Sequence, residues 1–130
     1  MLEKITLQEC DKLSEAEINF RKIPFDNAPD HTSEIIHKVK HKIASLHEVF
    51  EGNNSIGFAA LEKYGHKLVV LAFISKQPIA YFERVAPLIE KLAKLKGCDT
   101  VSHSTVIPGG IRLSLANGYK ITRVELEKTL

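Results

Sequence analysis

The residues that could do chemistry in this chain are six histidines, two cysteines and a few well-placed hydroxyls and carboxylates. His37 and His41 stand one helical turn apart, with His31 and His47 flanking them. Two imidazoles at that spacing can share a metal ion. No cysteine or acidic residue completes a ligand set, and Lys38, Lys40 and Lys42 interleave them. The reading is a solvated basic face, with no metal. That basic run has no aromatic residues between its charges, so it does not read as a nucleic-acid surface.

His103 lies in a short stretch of strand character. An attacking amine must shed a proton, and an imidazole titrating near neutrality can take it. Glu62 and His66, at the end of a hairpin, could do the same. The run Ser102-His103-Ser104-Thr105 does not make a serine hydrolase. Neighbours in a strand point to opposite faces, and no nucleophile elbow is present. Cys10 and Cys98 fit no CxxC or zinc pattern and read as reduced thiols of a cytoplasmic protein.

These groups need a scaffold, and the composition supplies one. The chain of 130 residues is 44% hydrophobic and 26% charged, with a net charge of +2. That fits a single globular domain over residues 1–130 and gives no bulk attraction to nucleic acid. The longest apolar run, residues 68–74, is far short of the ~20 needed to span a bilayer. No secretion signal follows Met1.

The periodicity changes twice. Ile5 and Leu7 open a first strand. Ser14 and Glu17 have capping-box spacing, so a helix is expected to about Phe20. Pro24 and Pro29 mark a loop, and Thr32 or Ser33 is expected to cap a second helix through about His41. From Ile43 the pattern alternates. Gly52-Asn53-Asn54 and Gly65-His66 supply two turns, so residues 43–75 read as three antiparallel strands in a meander. The run 67–75 is apolar without alternation, as in a strand covered on both faces. After Gln77-Pro78 the period becomes helical, with Phe82, Val85, Ala86, Ile89, Leu92 and Ala93 on one face and Gly97 as the stop. Pro87 forces either a kink or a helix that starts later. A short strand is expected within 99–106, a helix from Pro108 to Asn117 stopped by Gly118, and a closing strand over 121–126. The fold class is α/β, a mixed central sheet with helices on both faces.

This order resembles the GNAT acyltransferases. In that family the fourth strand runs into a loop of form Arg/Gln-x-x-Gly-x-Gly/Ala, whose backbone N–H groups hold the pyrophosphate of acetyl-CoA at a helix start. Here Gln77 matches the first position, while Ala80 and Phe82 stand where smaller residues are usual. Farther on, Pro108, Leu113, Gly118 and Tyr119 fit the register of the family's Asn-Pro-x-Ala-x-x-Leu-Tyr-x-x-x-Gly-Phe segment. Ile107 replaces its Asn, and Ser114 replaces the Tyr that often protonates the departing thiolate. The erosion is similar to that of small acetyltransferase-like proteins encoded by tailed phages.

The resemblance implies acyl transfer from acetyl-CoA to an amine on a small molecule or a protein. CoA would lie between the strand of residues 68–75 and the strand within 99–106. Phe73, Ile74 and Ser75 would pair with the pantetheine arm, and Gln77, Ile79, Ala80 and Tyr81 would meet the phosphates. His103, Ser114 and Glu62 are the catalytic candidates, with Tyr119 and Tyr81 as other acids. The alternative is a GNAT-like protein without acyl transfer that binds a partner or assembles. No membrane partner is expected, and the sequence leaves a homo-oligomer open.

Overall fold

The computed structural model describes residues 3–23, 28–104, 108–124, 126 and 128–130. The elements run β1 (Ile5–Cys10), α1 (Leu13–Phe20), α2 (Ala28–Lys40), β2 (Ser45–Glu51), β3 (Asn54–Tyr64), β4 (Lys67–Ser75), a π-helical turn (Tyr81–Val85), α3 (Ala86–Leu95), β5 (Thr100–His103) and α4 (Pro108–Ala116). The five strands lie in chain order. β1 to β4 pair antiparallel, and β5 pairs parallel to β4. The expected meander and helical crossover are therefore present. Gly52 and Gly65, at φ +60° and +61°, make the two tight turns.

Helices cover both faces. Val85, Ile89 and Ala93 of the α3 stretch pack with Ile5, Val49, Leu61, Leu68 and Val70. Ala16 and Phe20 of α1 and Ile35 of α2 pack with Leu46, Phe58, Ala60 and Ala72 on the other face. The unalternating run in β4 has a local cause. Ala60 opposes Ala72 but Leu61 opposes Val70, so Leu71 is an extra residue, a β-bulge. Leu68 and Val70 then face α3, while Leu71 and Ala72 both belong to the α1–α2 side. A bulge reverses which side successive residues take.

Pro87 is accommodated by a change of helix type. The Ala86 N–H bonds to the Tyr81 carbonyl, five residues back, and Pro87 falls in the first turn of α3. The wider π turn gives the ring the room that an α-helical turn would deny it. α3 stops at Gly97, φ +77°, where the Cys98 N–H reaches the Ala93 carbonyl and the Gly97 N–H reaches Lys94. This is the 6→1 and 5→2 pair of a Schellman stop.

Three sequence expectations are corrected. Ser14 does not cap α1: the helix begins at Leu13 after Lys12, with no side-chain cap bond. The Ala16 N–H bonds to the Lys12 carbonyl instead. Thr32 and Ser33 do not start α2 but lie inside it, because the helix absorbs Pro29 in its first turn. No strand forms over the described part of residues 121–126. Ile121, Val124 and Leu126 break strict alternation, and all three are exposed. Calls on residues 24–27 and 105–107 lie outside the described residues.

Gly57 gives a test of the sheet. A Cβ there would sit 1.9 Å from the Ile74 carbonyl oxygen, a backbone atom. Gly57→Ala is expected to cost roughly 1–3 kcal/mol or more through forced displacement of β4, read by urea unfolding. Lys42 is the opposite case. It takes φ +60° at the stop of α2, where the Ile43 N–H reaches the Lys38 carbonyl. Lys42→Gly should stabilise the fold by about 1 kcal/mol by relieving that conformation.

Candidate active site

β4 has nine residues and β5 four. Their ladder runs from Lys67–Thr100 to Val70–His103. Beyond it, residues 71–75 have no partner on the β5 side among the described residues. The bulge at Leu71 falls one residue past the last described pair with β5, at His103. The result is a V open at the C-terminal ends of two parallel strands, a usual place for a ligand in α/β sheets.

The apex of the V carries His103 and Ser114. His103 Nε2 lies 3.0 Å from Ser114 Oγ on α4. His103 Nδ1 is buried and has no hydrogen-bond partner among the described residues. Burial holds the imidazole below its ordinary 6.5, so it is neutral at pH 7, with one ring nitrogen able to accept a proton. The two residues are eleven positions apart in sequence. The end of α4 brings in a third. Gly118 takes φ +88°, and the Tyr119 N–H returns to the Ser114 carbonyl at 3.1 Å. This 6→1 return is the second Schellman stop, and it lays the Tyr119 ring 4.7 Å from His103. Desolvation, with the Glu90 carboxylate second, raises the Tyr119 phenol.

The sequence offers Tyr119 as an acid away from the family's acid position, without showing that it meets His103. The glycine stop was the signal that could have found it, since a Schellman turn folds the next residue back over the last helical turn. Glu90 and Phe82 are the site residues that sequence reasoning missed. Phe82 lies 6.1 Å from His103 and 5.9 Å from Tyr119, ring to ring. Tyr81 precedes it, its ring 4.8 Å from that of Phe73. Tyr81 is raised above the ordinary range for phenols, mainly by burial.

Glu62 is not brought to this apex. It accepts a 2.8 Å ion pair from Lys38 on α2, on the other face of the sheet. His66 faces Asp99 at 3.9 Å, in the open. His37 and His41 lie ring on ring at 4.2 Å, and no group of three or more metal-binding side chains occurs among the described residues.

The loop after β4 holds the remaining candidates. Ser75 Oγ donates to the Gln77 carbonyl at 2.6 Å. Phe73, Ile79 and Tyr81 pack on the α3-side core, and Ile74 on the other. Ala80 precedes the π turn, so the first N–H groups of that turn are free of helical partners. Gln77 does not point outward for a ligand. Its Nε2 donates to Glu51 Oε1 at 3.0 Å, and Arg84 Nη1 donates to Glu51 Oε2 at 2.6 Å. Arg84 also donates to the Glu3 carbonyl.

These features bear in different ways on acetyl-CoA, which the sequence resemblance implies. The edge of β4 over residues 71–75, without a β5-side partner among the described residues, fits an amide-bearing arm lying in the V. The turn N–H groups and Arg84 suit a diphosphate. Glu51 and the first-turn Glu83 oppose one, and Phe82 narrows the entrance.

No protein-family model and no curated protein sequence matches the chain. Solved structures do match. AAC(6')-Iy in complex with a bisubstrate analogue, CoA-S-monomethyl-acetylneamine, aligns at TM-score 0.64 and 12% identity over 98% of this chain and 99% of that one. A GNAT family acetyltransferase from Staphylococcus aureus aligns at 0.62 and 16% over 98% and 99%. A predicted acetyltransferase with acetyl-CoA from Clostridium acetobutylicum aligns at 0.60 and 15% over 96% of each chain. This chain has the GNAT fold. At such identities the likeness reaches the backbone and no farther, so within the GNAT fold the chemistry must be argued from the side chains at the apex.

His103 and the buried His47 make stability depend on pH. Burial lowers both imidazoles. Below 6.5 the unfolded chain takes protons that the folded chain refuses, so stability falls as pH drops from there toward the lowered folded values. His103→Gln should flatten part of that slope. Urea midpoints at pH 7.5 and 5.5 check it; equal slopes in both proteins would show that His103 titrates normally.

Proposed function

We propose that this chain is an acyl-CoA-dependent N-acyltransferase in which His103, Ser114 and Tyr119 manage the protons. The observation that carries the reading is the neutral, buried His103 bonded to Ser114 at the apex of the β4–β5 V. Bound acetyl-CoA supplies an activated acyl group as a thioester. Backbone groups of residues 71–75 hold the arm, and the turn N–H groups with Arg84 hold the phosphates. Ala80 leaves room for close approach. His103 takes the amine's proton, and its bond to Ser114 Oγ keeps the ring oriented. Tyr119, protonated at neutral pH, has its ring 4.7 Å from His103 and is the candidate hydroxyl donor to the departing thiolate. Ser114 alone is a weak acid. Its role here is to fix the imidazole rather than to replace the family's tyrosine.

The second reading is a GNAT-fold protein that binds a partner without acyl transfer. The aromatic chain Phe73, Tyr81, Phe82, His103 and Tyr119 favours it. Those rings occupy the side of the V that a ligand would enter.

Calorimetric titration with acetyl-CoA separates the readings. Wild type is expected to bind weakly. Glu51→Gln should bind several-fold tighter by removing a carboxylate that holds Gln77 and Arg84. Ala80→Asp should not bind. No heat from wild type or Glu51→Gln, both folded, would leave the binding-protein reading. Turnover against a panel of amines then tests the apex. His103→Gln is expected to lose roughly 10²–10⁴-fold in rate, and Ser114→Ala less. Ser114→Tyr is a poor probe, because Ser114 is buried against His103 and a phenol would displace the ring.

A further inference from the structure

A cavity of about 890 Å³ opens at the end of the sheet opposite the V. It is bounded by the end of β1, the start of β2, the end of β3 and the start of β4, together with the stops of α2 and α3. Its apolar lining includes Leu46, Leu61 and Leu68, each otherwise buried, and Ile43, which is exposed. Small-molecule sites have this size and this kind of lining.

The charges around the cavity are sorted. Lys40, Lys42, Lys63 and Lys96 line it from the end of α2, from β3 and from the end of α3. None of the four has an ion-pair partner among the described residues. Glu9 and Asp11 line it from the end of β1. β1 and β3 are two strand spacings apart, about 10 Å, so the acids stand away from Lys63. Four cations against two carboxylates leave a surplus of two positive charges. That surplus matches a phosphomonoester near neutral pH.

The backbone at Lys42 points the same way. The stops of α2, α3 and α4 share one bond pattern. The Ile43 and Lys42 N–H groups return to Lys38 and Val39, as those of Cys98 and Gly97 return to Ala93 and Lys94, and those of Tyr119 and Gly118 to Ser114 and Leu115. The left-handed residue is glycine in the last two, at φ +77° and +88°, and lysine in the first, at φ +60°. A side chain in that conformation lowers stability. The helix dipole does not call for it, because Lys38 and Lys40 already place cations in the last turn of α2. What Lys42 adds over glycine is an ammonium group at the cavity. Backbone strain of this kind gathers where a side chain is used.

We propose that this cavity binds a small soluble phosphomonoester with an apolar body. The phosphate lies among Lys42, Lys63 and Lys96, and the body lies against Leu46, Leu61 and Leu68. The site is separate from the V, and the inference does not depend on acyl transfer.

The probe is 1-naphthyl phosphate, titrated at low ionic strength and followed by calorimetry and amide NMR. One molecule is expected per chain, with shifts at residues 40–46 and 61–68. Lys42→Gly is the decisive variant. It should raise the urea midpoint by relieving the backbone, yet weaken the probe by about fivefold or more. Lys63→Gln should weaken it to a similar degree. 1-Naphthol and inorganic phosphate should each bind far less than the probe. Absence of binding by wild type would overturn the proposal, and so would shifts confined to residues 77–86. Equal affinity in Lys42→Gly would overturn it as well, as would either half of the probe binding as tightly as the whole. Retention on phosphatidic acid vesicles without binding of the soluble probe would assign the lysines to a membrane surface and overturn it too.

Discussion

One extra residue in β4 sets the geometry of the rest. Leu71 has no opposite number in β3. The strand must bend around it, and the bend lies one residue past the last pair with β5, Val70–His103. Without the bulge, β4 and β5 could continue side by side and close the V with their own hydrogen bonds. With it, five residues of β4 have no partner on the β5 side among the described residues, and a histidine is left at the end of the described ladder. The bulge also sends Leu71 and Ala72 toward α1 and α2 together, so the deviation is held by packing on the face away from the cleft.

The electrostatics follow from that arrangement. Groups at the fork are desolvated, and the Glu90 carboxylate adds to the effect on Tyr119, so imidazole goes down and phenols go up. Both shifts favour the neutral forms. Across the sheet the balance differs. Glu48 is buried as well, and burial pushes its carboxyl up, but hydrogen bonds from Ser55 at 2.5 Å and from Lys12 outweigh this and hold it below its ordinary value. One face therefore keeps a satisfied charge, and the other keeps neutral groups that can exchange protons.

Much of this was legible in the residues. Period 2 giving way to period 3.6 at Gln77 marks the passage from meander to crossover, and glycines mark the turns and stops. Local chemistry decides such features. What was not legible depends on two distant segments meeting. A bulge has no signature in a strand that is apolar throughout. The pairing of His103 with Ser114 depends on how α4 returns over β5. Glu62 looked available as a base until α2 placed Lys38 against it. The capping box failed because Lys12 and Asp11 already turn the chain into α1. The closing strand failed because alternation over 121–126 is broken, which the spacing itself showed.

The order of strands in the sheet is the order of strands in the chain. Within the meander, β2, β3 and β4 are each joined by two residues. The entropy lost in closing such loops is small, and it rises only slowly with length. Joining β5 to β4 instead requires a crossover of 24 residues, and joining β1 to β2 requires both early helices. The cheapest assembly route begins with the three central strands, whose contacts are close in sequence. The fork between β4 and β5 forms at a late step on that route, when α3 docks and carries β5 into place. The part of the molecule with the chemistry is thus the part that the chain has least local reason to build.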